Sequence, residues 1–157
     1  MSQVLSEQSS SVRAFTALLR AHTFATRQLS AQLTADHGLT ISDYEVLLRL
    51  ARAPDRRMRR VDLSEQVVLT ASGITRLLDG LERSGLVERG SCESDRRVVY
   101  AVLTDDGLAR VREASTSHFA QVDQLFAEFF DGEELETVGD LLSRIGGSDP
   151  RDCDPDG

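Results

Sequence analysis

From position 70 to 76 the chain reads Thr70-Ala71-Ser72-Gly73-Ile74-Thr75-Arg76, a run of small and polar residues ending in a guanidinium. At the start of a helix these residue types let the backbone come close to the floor of a DNA groove. Ala71, Gly73 and the Thr75 methyl keep bulk away, and Ser72 with the free first-turn amides suits a backbone phosphate. Arg76 can reach a guanine edge or a phosphate. Thr, Ser and Gly are also common at helix starts for capping alone, so the segment has an ordinary structural reading as well. Further on, Glu93-Ser94-Asp95-Arg96-Arg97 sets two guanidinium groups beside a carboxylate. An Arg carried on an extended ribbon suits a narrow, electronegative minor groove and favours A·T-rich sequence by shape. Asp95 would then orient an Arg instead of touching DNA, whose phosphates repel it. The plain alternative is a solvated turn with a surface ion pair worth under about 1 kcal/mol.

Other chemistries find less support. The histidines fall at positions 22, 37 and 118, two of them on presumed helical faces. No nucleophile elbow, phosphate loop or His-Glu-x-x-His motif occurs, so catalysis is not expected. The cysteines, Cys92 and Cys153, form no C-x-x-C pair and no Cys/His cluster, so neither a metal nor a cofactor is expected. No neighbour in the sequence gives either thiol a reason for a lowered pKa. A redox-responsive role for Cys92 is therefore an alternative reading.

The net charge of −8 would by itself disfavour a nucleic-acid partner. Its distribution changes that conclusion. Positions 55–97 hold nine Arg against eight acids, whereas the rest holds nine Arg against eighteen acids. All the cationic side chains are Arg and none is Lys, a compositional bias to which no function attaches. No apolar stretch approaches the roughly 20 residues of a membrane helix. The N-terminal stretch lacks the basic and apolar regions of a signal peptide, so a cytoplasmic location is expected.

Several elements must position these residues. Val12, Phe15, Leu18, Leu19, His22, Ala25, Leu29 and Leu33 recur at steps of three and four, predicting a long amphipathic helix that ends near Gly38. Ser42 and Glu45 read as a capping box for a second helix, which stops before Pro54. Asp62 and Glu65 read as a similar start for a short third helix with Leu63, Val67 and Leu69 on its apolar face. After a break at 69–71, a further helix is expected from Ser72 to Ser84, burying Ile74, Leu77, Leu78 and Leu81, with Gly85 beyond its end. The runs 86–89 and 98–103 then read as a β-hairpin with a longer loop. Thr104 caps a long final pattern through Leu108, Val111, Ser115, His118, Val122, Leu125 and Phe129, widened by Phe119, Phe126 and Phe130. Asp131 and Glu134 restart a short helix. The stretches 1–10 and 147–157 are polar tails, expected to be disordered.

A second helix following a short turn, and then a hairpin, is the order of a winged helix-turn-helix. The segment resembles the MarR family of bacterial transcriptional regulators. The matching residues are Leu63-Ser-Glu, Ser72-Gly-Ile-Thr-Arg76-Leu-Leu-Asp79-Gly-Leu-Glu82-Arg-Ser-Gly85-Leu-Val-Glu-Arg89, Asp95-Arg-Arg97 and Leu103-Thr104-Asp-Asp-Gly107. Ile41-Ser-Asp-Tyr-Glu45-Val-Leu fits the family's second helix. The resemblance implies a mostly α fold with a small β-hairpin (α+β). A winged helix-turn-helix domain over 41–104 would sit beside a helical dimerisation domain from 11–38 and 105–146. It implies a homodimeric repressor on a pseudo-palindromic operator in double-stranded DNA, with no membrane partner. By position, Ser72, Thr75 and Arg76 would face the major groove and Asp95 and Arg97 form the wing tip, while Thr70, Ala71, Gly73 and Arg96 complete the DNA-binding candidates read from the residues themselves. It also implies release by a small phenolic or anionic effector, for which His22 and His118 are the candidate ligands. A winged helix that binds a protein partner is the remaining alternative. Four phenylalanines at 119, 126, 129 and 130 on one helix add to the case for a partner subunit.

Overall fold

The computed structural model describes residues 9–67 and 71–146; Thr70, residues 1–8 and the tail 147–157 lie outside them, whereas Ser9 and Ser10 of the expected N-terminal tail belong to the start of a helix. Helix α1 covers Ser10–His37, with Ser9 accepting from the Val12 amide and Gly38 closing the helix in the left-handed region. Helix α2 covers Ile41–Arg52. Its capping box is made by Thr40 and Asp43, not by Ser42 and Glu45 as the sequence suggested. The cap lies two residues earlier than expected, which leaves Glu45 to pair along the surface with Arg49 at 3.0 Å. A 3-10 turn at Pro54–Arg56 follows.

Strand β1, Arg57–Arg59, leads directly into α3, Arg60–Gln66. This strand carries no alternating apolar pattern and was not visible in the sequence. It exists because β3 offers it an edge: Arg57, Met58 and Arg59 pair antiparallel with Val102, Ala101 and Tyr100. Asp62 does not cap α3. Its carboxylate instead takes both Nε and Nη2 of Arg59. Helix α4 covers Ala71–Arg83. Strands β2 (Val87–Ser91) and β3 (Val99–Leu103) form the predicted hairpin, and the sheet order is β1-β3-β2. The fold is thus mostly helical with a three-stranded antiparallel sheet.

Helix α5 covers Asp105–Ala127 and α6 Gly132–Gly146. Phe129 and Phe130 therefore lie in the turn after α5, where both amides donate to the Phe126 carbonyl, and only Phe119 and Phe126 sit on the helix itself. Asp131 and Glu134 form the expected reciprocal cap of α6.

The described residues up to Phe119 form one compact unit and those from Ala120 a second. In the first unit, Leu33 of α1 and Val46, Leu47 and Leu50 of α2 pack with Leu63 of α3 and with Ile74, Leu78 and Leu81 of α4. Val87, Ala101 and Leu103 of the sheet and Val111 and Ala114 of α5 complete this core. The earlier turns of α1 behave differently. Phe15 is 61% exposed and Leu19 51%, so the helix forms as predicted but most of its apolar stripe is uncovered in the single chain. In the second unit Phe129 and Ile145 are exposed as well. No helix among the described residues is long and apolar enough to cross a membrane.

Candidate nucleic-acid interface

Helix α4 is amphipathic at single-residue resolution. Ile74, Leu78 and Leu81 recur at steps of four and three and are 3–4% exposed, so this stripe fastens the helix to the core. The intervening Thr75 and Arg76 point outward and are exposed, and Gly73 is half-buried beside them. Arg76 has no hydrogen bond or ion pair among the described residues. Ala71 and Ser72 belong to the first turn of α4, but their side chains, like Thr70, lie outside what the structure describes.

The wing is the loop between β2 and β3. Val87 pairs with Leu103 and Ser91 with Val99, which fixes the hairpin's register up to its tip. At the tip Asp95 Oδ1 accepts from the Arg97 backbone amide at 3.0 Å and from its Nε at 3.3 Å. The Val98 amide donates to the Asp95 carbonyl at 3.2 Å and closes the turn. The Arg97 side chain is 93% exposed, so it is both held at its root and presented to solvent. Arg96 is exposed as well. The structure therefore brings Asp95 and Arg97 into one small constellation.

The other side of the wing carries Cys92. Its Sγ lies 3.1 Å from Ser94 Oγ, and this hydrogen bond, with backbone contacts from Ser94 and Asp95, holds the thiol below its ordinary pKa. Sequence reasoning found no such cause, because a bond closed by a turn two residues long leaves no composition signal.

A cleft of about 350 Å³ separates α4 from the wing. Arg59 lines it from the end of β1, Arg60 and Ser64 from α3, Thr75 from α4, and Arg97 and Val98 from the approach to β3. Arg59 is fixed by Asp62 at 2.8 and 2.7 Å, which pushes its pKa up further still. Arg59 and Arg60 were not singled out from the sequence. The signal was present in the run Arg56-Arg57-Met58-Arg59-Arg60, but without β1 nothing placed it near the wing.

The two histidine candidates part company. His22 is exposed on α1. His118 is 8% exposed on α5, its ring 4.7 Å from that of Tyr44, and its Nδ1 has no partner among the described residues. Burial pushes its pKa down, so the imidazole is neutral at neutral pH. The Tyr44 hydroxyl lies 3.0 Å from Ser115 Oγ. The third histidine, His37, bonds Ser117 through Nε2 at 2.6 Å. No group of three or more His, Cys, Asp or Glu residues that would hold a metal occurs among the described residues.

Residues 37–98 match the sequence model of the MarR family. The HTH-type transcriptional repressor YetL of Bacillus subtilis is 32% identical over 114 residues, which cover 71% of this chain and 68% of that protein. AbsC of Streptomyces coelicolor, a MarR family transcriptional regulator, superposes with a TM-score of 0.77 at 32% identity, covering 89% of this chain and 95% of that one. Sco3205 of the same organism, a MarR family regulator solved in complex with DNA, superposes with a TM-score of 0.78 at 27% identity, covering 89% of each chain. With its winged helix-turn-helix order, the motif residues of α4 and the wing, and these relatives, the chain belongs to the MarR family of transcriptional regulators.

Proposed function

We propose that this regulator binds duplex DNA as a homodimer, with α4 in the major groove and the wing tip in the adjacent minor groove. The observation that carries the reading is the division of α4. One stripe locks the helix to the core, while Thr75 and Arg76 face outward, the Arg76 guanidinium having no ion pair among the described residues, beside a wing whose Arg97 is held by Asp95. A helix fastened in this way presents base-reading groups without an added ordering cost. Thr70, Ala71, Ser72 and Gly73 are assigned to the same major-groove contact, and Arg96 adds charge at the wing. A structural relative solved with DNA supports the same assignment.

The regulator represses transcription from a pseudo-palindromic operator, the form that two-fold protein symmetry requires of its site. Repression is supported by YetL, which is named a repressor. Residues 11–38 and 105–146 serve as the dimerisation helices and 41–104 as the reading domain. Exposed apolar side chains on α1 and in the second unit support a partner subunit. A small phenolic or anionic effector releases the DNA. Of the two histidine candidates, the buried and unpartnered Nδ1 of His118 favours His118 over His22.

A gel shift with DNA from upstream of the regulator's own gene tests the reading. Arg76→Ala should weaken binding by about 1–3 kcal/mol and relax preference at one base position, and Arg97→Ala should weaken binding at A·T-rich flanks. Unchanged binding in both variants would sink it, and no shift at any salt would favour a winged helix that binds protein. The lowered pKa of Cys92 supports one second reading, in which an oxidant acts on the wing. Peroxide should then release the DNA from the wild-type regulator but not from Cys92→Ser.

A further inference from the structure

When one element enters a major groove and its neighbour the next minor groove, the sugar–phosphate strand between the two grooves must cross the space separating those elements. Here that space is the cleft between α4 and the wing, and its wall is built from the start of α3. We propose that Arg59 and Arg60 form a clamp in this cleft for a backbone phosphate of the bound DNA, beside the wing from which Arg97 reaches the minor groove. The assignment rests on the DNA-binding reading above and extends it to residues outside α4 and the wing tip.

Three features carry it. First, Arg59 and Arg60 line the cleft between α4 and the wing, where a strand passing from one groove to the next would run, with Arg97 at its rim and the carboxylates of Asp62, Glu65 and Asp95 near them. Second, Arg59 is oriented by a carboxylate close in sequence. Asp62 occupies Nε and Nη2 of Arg59, and the planar fork still has further N–H donors to offer. A side chain held in this way loses little rotamer freedom when it meets an anion, and Arg is the residue whose fork matches phosphate oxygens.

Third, Arg60 has no ion-pair partner among the described residues. One of its Nη atoms is buried without an acceptor. A buried N–H donor without an acceptor carries a cost that an incoming anion relieves, although Asp79, Glu82 and Glu88 also border Arg60. Arg59 supplies an oriented contact, and Arg60 a donor in want of an acceptor. Thr75 lines the opposite wall from α4, so the same strand is approached from the reading helix and from α3.

The test uses the full chain and a mixed-sequence DNA duplex, with affinity measured by fluorescence anisotropy over a series of salt concentrations. Each phosphate neutralised contributes about −0.9 to the slope of log affinity against log salt. Arg59→Gln should weaken binding several-fold at about 0.15 M salt. It should also make the slope shallower by roughly one, while leaving the ratio between operator and mixed-sequence DNA unchanged. Arg59→Lys should keep the wild-type slope, which separates lost charge from lost fold. A second arm needs no variant: neutral methylphosphonates placed in the strand between the two grooves should flatten the wild-type slope by a similar amount. An unchanged slope in Arg59→Gln, whatever its affinity, overturns the clamp while the DNA-binding reading stands. Absence of wild-type binding at every salt concentration overturns both.

Discussion

Asp95 is a carboxylate on a surface proposed to meet phosphates, and two opposed effects decide its consequence. Two unit charges 10 Å apart in water interact by about 0.4 kcal/mol, less once salt screens them. Against that repulsion, Asp95 holds the Arg97 side chain by its Nε and also fixes the turn beneath it through the backbone amide. Ordering a free Arg side chain costs up to about 2 kcal/mol, so pre-orientation wins at physiological salt. Asp95→Ala should therefore weaken binding at A·T-rich flanks even though it makes the protein less negative. In an Arg97→Ala background the same change should be neutral or slightly favourable. A double-mutant cycle by anisotropy checks this, and a tighter Asp95→Ala single variant would show that repulsion dominates. The sequence already suggested that Asp95 orients an Arg, without choosing between Arg96 and Arg97, because an Asp just before two Arg in a tight turn is a local interaction. Local interactions are what a sequence displays.

Elements that depend on a distant partner were legible only in part. The boundaries of α4 were predicted to within a residue because Ile74, Leu78 and Leu81 carry the helical period and Gly85 ends it with a positive φ of 73°. Strand β1 was missed because three residues, two of them Arg, have no period to read and are extended only through β3. With it went the position of Arg59 and Arg60. The cap of α2 was misplaced by two residues because Thr40, Asp43, Ser42 and Glu45 offer two overlapping boxes, and only the chain's path after Gly38 selects the first. A tighter constraint joins α5 to the sheet at Gly107. A Cβ there would collide with the Leu86 carbonyl and crowd a Leu103 methyl, while Thr104 Oγ1 accepts from the Gly107 amide and donates to the Gly85 carbonyl at 2.7 Å. Backbone cannot yield as a side chain can. Gly107→Ala should destabilise the fold by about 1–3 kcal/mol, the usual range for overpacking, and move the base of the wing away from α5. Urea unfolding measures the first effect. A midpoint equal to wild type would show that the junction has slack.

At the scale of the whole molecule, one copy of the chain leaves large apolar side chains exposed on its helices. On α1, Val12 and Phe24 are each 46% exposed and Phe15 and Leu19 more so. The second unit by itself exposes Phe129 at 59% and Ile145 at 74%. Scattered exposed apolar residues need no explanation, but runs of them at helical spacing mark an interface. The sequence could show these stripes but not whether the same chain or another covers them, because periodicity reports a buried face and not its occupant. If a second copy covers them, Ile145→Asp should convert a dimer into a monomer in analytical ultracentrifugation. The core around Leu33, Leu47 and Leu63 lies in the other unit, so the reading domain should keep its own helical signal. The effect on DNA then follows from linkage of two sites. A dimer places its second reading head at high effective concentration, so losing the partner should cost about 10²–10⁴ in affinity for a two-half-site operator. Binding to an isolated half-site should change little. A variant that is monomeric yet binds the full operator as tightly as wild type would refute the dimer as the reading unit. A variant that remains dimeric would place the interface on α1 and away from Ile145.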